Sequence, residues 1–397
     1  MRLYGRIPYT FVSGMAFPPL QVFIEVTYRC NLRCEMCQFL SMVQSQSASN
    51  TKVKELTQDE IQDLIDQLPR TSLVSFTGGE PFLRRDMMDI LKYTATQHRC
   101  HIITNGTLLS EGIAEELVNI GSRNILGRGL LLIGISLQGP EDVHTVITHH
   151  QRAYQRTLEG VKRLRAYRRT KGRSYPLINL KAVICKQNVH TLSHIFSIAE
   201  DLEVDICNFI VENRSDHFQR LNLEKGELKT GSGPPGPWWT LEDLSILQRE
   251  LERIQRRAVK ARAQVRFSPQ NMPPHEIVKY YANEIDLQKY ICYAPWSKIG
   301  ISAYGDVGLC HNYIFGNIRE QRLRDIWYGG RIKQFRKTLK AAKVFPSCNG
   351  CCFLERDTSV PSGKIGQGDP AREARRCSRL LNPTDLEVKG SPSEDYG

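Results

Sequence analysis

The run Gln21-Val-Phe-Ile-Glu-Val-Thr27, followed at once by Tyr28-Arg-Cys30-Asn-Leu-Arg-Cys34-Glu-Met-Cys37, decides the fold of this chain. The first part is short, apolar and rich in β-branched residues, which predicts a strand. The second part places three cysteines in C-x3-C-x2-C spacing in the loop that leaves this strand. Three thiolates in one short loop can hold three irons of a [4Fe–4S] cluster and leave the fourth iron open to a ligand. Structural zinc competes for such a loop but prefers four protein ligands, and no fourth stands nearby in sequence. Three buried cysteines without a ligand are the plain alternative.

Five more strand candidates follow: Ser72–Thr77, His101–Thr104, Leu131–Leu137, Ile178–Cys185 and Ile206–Val211. Each reads as apolar on both faces, as parallel strands covered by helices are. The helices between them are marked by their caps. Thr57-Gln-Asp-Glu60 is a capping box opening Ile61 to Leu68. Ser110 caps a helix that ends before Gly121, and Thr240 caps a long helix with Leu241, Leu244, Leu247, Leu251 and Ile254 on one face. Six successive β-then-α units predict an α/β fold, a partial (β/α)6 parallel barrel. Binding groups in such barrels gather at the C-terminal ends of the strands, where the cysteine loop lies.

The chain has 397 residues, of which 41% are hydrophobic, so a large core is available. The N-terminus has no long apolar stretch of a signal peptide. The longest apolar run, Gly129 to Leu137, falls far short of the ~20 residues that a spanning helix needs. A cytoplasmic protein without a membrane span is expected. In such a protein, cysteines point to metal or catalysis rather than to disulfides. Seven of the 12 cysteines fall in two groups, Cys30, Cys34 and Cys37, then Cys292, Cys310, Cys348 and Cys351. The net charge of +12 lies partly on solvated helix faces such as Arg163 to Arg169 and Arg253 to Arg257. There is no RNP1 motif and no zinc-finger spacing, so a nucleic-acid partner is not expected. An acidic substrate or peptide stays open.

The second group reads Cys292-x17-Cys310-x37-Cys348-x2-Cys351. Ile299 to Cys310 predicts a β-hairpin turning at Gly305-Asp306, and Leu323 to Lys340 a helix that returns the chain to the last two cysteines. Four thiolates fit a [4Fe–4S] cluster or a Zn(Cys)4 site. The expected division is an N-terminal extension (1–18), a barrel core (19–220), a linking Gly/Pro loop and long helix (221–290), a small cluster-binding domain of hairpin plus helix (291–355), and a polar tail (356–397). The linker contains a loop or flap, Leu221 to Pro237.

Three further loops end strands: Thr77-Gly78-Gly79-Glu80-Pro81, Thr104-Asn105-Gly106 and Ile135-Ser136-Leu137-Gln138-Gly139. In this order after the cysteine loop, they make the chain resemble the radical S-adenosylmethionine (SAM) enzymes. The hairpin–helix–CxxC pattern resembles their C-terminal SPASM and twitch auxiliary-cluster domains. Cys100, Cys185 and Cys207 abut or lie in apolar strands and read as core residues, so only Cys352 and Cys377 are left over, and one auxiliary cluster in a twitch-like arrangement is expected. The resemblance implies that Cys30, Cys34 and Cys37 bind the cluster that holds SAM, and Cys292, Cys310, Cys348 and Cys351 the auxiliary one. Gly78 and Gly79 would let the backbone approach the methionine part, and Glu80 would accept from its ammonium. Asn105 joins the cofactor-binding set, and Ser136 would reach the ribose or carboxylate. Gln138 stands where Asp is usual, and Thr148 where many relatives have Arg, a role left to Arg152 or Arg156. Met36 replaces an aromatic residue near adenine.

The implied reaction is one-electron cleavage of SAM to methionine and a 5′-deoxyadenosyl radical, which abstracts hydrogen from a peptide or small-molecule substrate. The auxiliary cluster would take the substrate's electron, giving net oxidation or a cross-link. A low-potential donor such as a flavodoxin or ferredoxin is the implied partner. Glu212 and Asp216, after the sixth strand, are the candidates to face substrate as catalytic groups. Only about twenty residues precede the first strand, which is short for a leader-peptide recognition domain, so a small molecule, or a peptide brought by a separate recognition protein, is the expected substrate. Two other classes remain at this stage: an iron–sulfur electron carrier without catalysis, and a zinc-stabilised nucleic-acid binder.

Overall fold

A computed structural model describes residues 2–11, 14–48, 54–213, 239–269, 272–310, 313–345 and 348–357. Seven parallel strands lie side by side in chain order: β1 (Gln21–Thr27), β2 (Leu73–Gly78), β3 (Arg99–Thr104), β4 (Gly129–Ser136), β5 (Leu177–Ile184), β6 (Ile206–Val211) and β7 (Gln264–Ser268). The first six match the expected strands to within a few residues, as a partial barrel requires. The seventh follows helix Leu241–Ala258, and its weak apolar pattern, Gln-Val-Arg-Phe-Ser, hid it. The two-stranded sheet β8 (Tyr290–Ile291) with β12 (Glu355–Arg356) closes the C-terminal unit. The predicted hairpin is β9 (Lys298–Ile301) and β10 (Asp306–Gly308), joined by β11 (Ile314–Asn317). It does not stand apart. Strand β9 pairs in parallel with β1, Gln21 opposite Lys298, so the hairpin extends the barrel sheet beyond its first strand.

The strands are not apolar on both faces. Val22, Ile24 and Val26 of β1 sit in the main core, while Gln21, Phe23 and Glu25 line an interior cavity. Ser75, His101, Lys181 and Asn208 continue this polar inner face on β2, β3, β5 and β6. Because side chains alternate along a strand, each strand carries one apolar and one partly polar face.

Local capping follows the sequence closely. Thr57 Oγ1 accepts from the Glu60 amide at 3.2 Å, and Glu60 Oε2 from the Thr57 amide at 2.8 Å. Thr240 and Asp243 repeat this box at helix Leu241–Ala258. On that helix Leu247, Leu251 and Ile254 are buried, but Leu241, in its first turn, is 85% exposed. The auxiliary unit is fastened to the barrel by Arg319, whose guanidinium donates to the Glu60 carboxylate at 2.6 Å. Arg319 pulls that carboxyl down to about 2.

The N-terminal segment is a helix, Arg2–Phe11, seated on the auxiliary unit by edge-on packing of Tyr9 against Tyr293 and Trp296, 4.9 Å each. Beside it Arg336 is completely buried. Its guanidinium lies 4.3 Å over the Trp327 ring and donates to the carbonyls of Pro295 (2.8 Å) and Trp327 (3.0 Å). Trp327 in turn donates to the Phe17 carbonyl at 2.9 Å. Removing the guanidinium strands buried carbonyls that no water can reach. Arg336→Met is therefore expected to cost about 3 kcal/mol of unfolding free energy, read from urea denaturation. A change below about 0.5 kcal/mol would show that the carbonyls find other donors.

Candidate functional site: two cysteine groups on one cavity

The cysteine loop leaves β1 and is braced from three sides. The Glu55 carboxylate accepts from Thr27 Oγ1 (2.8 Å) and the Tyr28 amide (2.8 Å). Asn31 donates to Thr107 Oγ1 at 2.9 Å, and Asn105 donates to Asn31 Oδ1 at 2.9 Å. The Arg33 amide donates to the Thr148 carbonyl at 3.2 Å. The loop thus folds back so that its three thiols influence one another. Burial and mutual repulsion push Cys34 up to about 12 and Cys37 to about 11. Amides of Leu32 and Phe39 point at the sulfurs of Cys30 and Cys37, 3.4 Å each. Such N–H donors stabilise thiolates once a metal draws off the protons.

The second group converges by pairing of the chain ends. Strand β8 delivers Cys292 and β12 carries the chain away from Cys351, Ile291 opposite Glu355. Cys310 follows the hairpin strand β10, and the Cys351 amide closes the CxxC turn on the Cys348 carbonyl at 3.0 Å. Cys292 and Cys310 are both raised by burial and by Cys348. Thiols this close together, Cys292 buried and Cys310, Cys348 and Cys351 partly so, suit a multinuclear metal centre, which removes their protons and spreads the charge. Cys100, Cys185 and Cys207 are ordinary core residues.

Both groups open on one cavity of about 1580 Å³. Cys30, Cys34 and Cys37 line one part, and Cys292, Cys310, Cys348, Cys351 and Cys352 another. Gly78, Gly79, Asn105 and Ser136 line the wall near the first group. Three expectations change here. Glu80 does not face the cavity: it is fully buried, and its carboxylate accepts from Thr104 Oγ1 (2.8 Å), the Asn105 amide (2.8 Å) and the Phe82 amide (3.1 Å). Burial raises this carboxyl to about 7. Glu80 thus holds the Asn105 loop through these bonds. The glycines answer the cysteine loop, not only a ligand: a Cβ on Gly79 would stand 2.2 Å from the Arg29 carbonyl oxygen, and one on Gly78 2.4 Å from that of Thr27. Arg152 lies exposed at the start of helix Ala153–Thr170, outside the cavity wall; Thr148 lines it.

Gln138 accepts from the Val183 amide at 2.9 Å and so ties β4 to β5. Met36 packs on Val143, Ile147 and Cys185. Glu212 is held by its backbone, its carbonyl accepting from Tyr280 (2.6 Å) and its amide donating to Tyr281 (2.9 Å), while the neighbouring Asn213 lines the cavity. Asp216, His217, His311, Cys377 and the loop Leu221 to Pro237 lie outside the described residues. The sequence pointed to Glu25 and Lys181 as a pair inside the barrel; both line the cavity, but no ion pair joins them, and sequence reading missed Asn208, Arg266 and Lys298 on the same wall. The period-two pattern in β1 and β5 was the available signal.

Residues 24–180 match the model of the radical SAM superfamily, and residues 292–352 that of the SPASM iron-sulfur cluster-binding domain. The chain is a radical SAM enzyme. Its cofactors are SAM and [4Fe–4S] clusters, one of them auxiliary. An electron carrier without catalysis and a zinc-stabilised nucleic-acid binder fall with this match.

Among relatives, the tungsten-containing aldehyde ferredoxin oxidoreductase cofactor-modifying protein of Pyrococcus furiosus is 25% identical over 350 residues, 84% of this chain and 87% of the relative. The PqqA peptide cyclase of Xanthomonas campestris pv. campestris is 24% identical over 399 residues, 96% of this chain and 93% of the relative. The crystal structure of Streptococcus suis SuiB bound to precursor peptide SuiA superposes with a TM-score of 0.58 at 16% identity, covering 83% of this chain and 68% of that one. At this identity the likeness establishes the fold alone. No helix among the described residues is long and apolar enough to cross a membrane.

The auxiliary assignment carries its own expected result. Cys292→Ala removes a buried auxiliary thiol but leaves the first group intact. Iron should fall from about eight to about four per chain if both clusters are [4Fe–4S], with SAM cleavage retained. Unchanged iron would remove Cys292 from the ligand set.

Proposed function

We propose that this radical SAM enzyme modifies a peptide, with net oxidation or cross-linking of a side chain. The observation that carries this reading is the single cavity bordered by both cysteine groups. Its volume, about 1580 Å³, exceeds the roughly 300–1,000 Å³ of an ordinary small-molecule site. It offers space for SAM near the first group and for a segment of substrate chain beside the second. The peptide cyclase among the relatives supports the same substrate class. When bound, the cluster and SAM supply one-electron cleavage of SAM and a radical able to take hydrogen.

The chain's own residues do the rest. Cys30, Cys34 and Cys37 hold the SAM cluster, and Cys292, Cys310, Cys348 and Cys351 the auxiliary one. Gly78, Gly79, Asn105 and Ser136 cradle SAM on the wall they line. Glu80 stiffens that wall through Thr104 and Asn105, and Gln138 fixes the β4–β5 edge beside it. An auxiliary cluster on the same cavity gives an oxidised substrate a route for its electron. A low-potential flavodoxin or ferredoxin delivers the first electron, in the cytoplasm.

The test is anaerobic reconstitution followed by reductant, SAM and a panel of capped peptides. The expected products are 5′-deoxyadenosine and a peptide lighter by two hydrogens. Full clusters with no 5′-deoxyadenosine would defeat the assignment of the SAM site. Cleavage of SAM with no peptide altered, but with a small molecule oxidised, would replace the substrate class.

A further inference from the structure

One row of side chains crosses the inner face of the barrel at a single level. Ser136 on β4 is the register partner of Lys181 on β5, Lys181 of Asn208 on β6, and Asn208 of Arg266 on β7. All four line the cavity. With strands roughly 4.8 Å apart, the row reaches about 14 Å from Ser136, on the SAM side, to Arg266 on the last strand.

The row consists of donors. The Lys181 ammonium makes no ion pair or hydrogen bond with any described residue, its backbone carbonyl accepting from the Leu137 amide at 2.9 Å. Its stem passes over Gly134, where a Cβ would stand 2.9 Å from Lys181 Cδ, so that glycine opens the path to the interior. The adjacent His101 brings no anion, since an imidazole is neutral or cationic, and burial together with Lys181 lowers its pKa. Asn208 has its Oδ1 engaged by Ser268 Oγ at 3.2 Å, which leaves its amide N–H groups for the cavity. Arg266 bonds only the neutral Gln264 side chain, at 2.7 and 3.1 Å, and stands more exposed, toward the rim. Among the described residues the wall holds a single carboxylate, Glu25, which accepts from the hydroxyl of Tyr28.

Lys181, partly exposed, and Arg266, exposed, present cations to the cavity with no carboxylate partner among the described residues, an arrangement that suits an anionic guest. Service to the auxiliary thiolates does not account for it. Lys298 has Cys292 and Cys352 as electrostatic neighbours and stacks 4.5 Å over Phe353. Lys181 adjoins Cys352 only, and Arg266 lies two strands further on.

We propose that Lys181, Asn208 and Arg266 form a carboxylate receptor that anchors an Asp or Glu side chain of the substrate peptide within the cavity. The reacting residue then lies beside that anchor, toward Ser136 and the cysteine loop. This inference rests on the peptide reading for the source of the carboxylate, not for the receptor itself.

Binding alone tests it, without turnover. Reconstituted holoprotein with SAM is titrated with N-acetylglutamate α-amide, its neutral isostere N-acetylglutamine α-amide, and glutarate, following the rise in melting temperature. The glutamate probe should bind at least about ten-fold tighter than the glutamine probe, as charge-assisted bonds predict. Lys181→Gln and Arg266→Gln should each erase most of that preference, and Lys181→Arg should keep it. Arg266→Gln, nearer the rim, decides the matter if Lys181→Gln does not fold. Equal binding of the two amides, or a preference that survives the charge-removing variants, overturns the receptor. Glutarate binding as tightly as the glutamate probe, lost in the same variants, supports the receptor and removes the peptide from it.

Discussion

Cys34→Ala should abolish SAM cleavage while leaving the auxiliary iron in place. The thiol is buried among Cys30 and Cys37 in a loop whose backbone is fixed by Glu55, Asn105 and Thr148. Alanine removes one of three thiolates that the first cluster requires, and among the described residues no fourth cysteine lies on this part of the cavity wall. Iron should drop from about eight to about four per chain, and 5′-deoxyadenosine should fall to background. The complementary Cys292→Ala loses the other half of the iron and keeps cleavage. The pair of variants therefore separates the two sites by iron content and by product together. Retained cleavage in Cys34→Ala would mean that SAM is held elsewhere, and the whole site assignment would fail.

Gly79→Ala is expected to have the second largest effect, through packing alone. Gly79 does not use a left-handed backbone, so alanine meets no conformational penalty there. Its Cβ, however, would lie 2.2 Å from the Arg29 carbonyl oxygen and 2.8 Å from its carbon. These are backbone atoms and cannot rotate aside. The two segments must separate, which breaks the Gly79 amide bond to the Thr27 carbonyl (2.7 Å) and the Glu80 amide bond to Arg29 (2.8 Å). Overpacking and the two lost bonds together predict a destabilisation of about 3–5 kcal/mol. Cys30 follows Arg29 directly, so the first cluster should also be under-occupied after reconstitution. Gly112→Ala serves as the control: nothing lies within 4 Å of its Cβ, and it sits in helix Glu111–Asn119. That change should stabilise by about 0.5–1 kcal/mol. A Gly79→Ala protein with normal stability and iron would show that the two loops are not in contact.

Much of the site was legible because its signals are local. The three cysteines sit within eight residues and a single loop brings them together, whatever the rest of the chain does. The caps at Thr57, Ser110 and Thr240 hold because each oxygen needs only an amide three residues away. The glycines of Gly78-Gly79 were rightly read as a close approach, but what they approach is the Thr27–Arg29 backbone, some fifty residues distant. Glu80 shows the same limit. Its position in a family motif pointed to a ligand, yet its carboxylate is taken up by Thr104, Asn105 and Phe82, which only the adjacency of β2 and β3 brings within reach.

By itself the amino-acid sequence determined the βα series, the two sets of thiol donors and the chemistry they serve, since these depend on residue type, order and short spacing. Tertiary structure alone decided that the hairpin after Cys292 joins the free edge of β1, that a seventh strand extends the barrel, and that both thiol groups open on one cavity. It also decided that Ser136, Lys181, Asn208 and Arg266 stand in one row. Strand register sets that alignment, and register comes from pairing between segments up to 58 residues apart (Asn208 with Arg266), through backbone bonds that carry no mark of residue type.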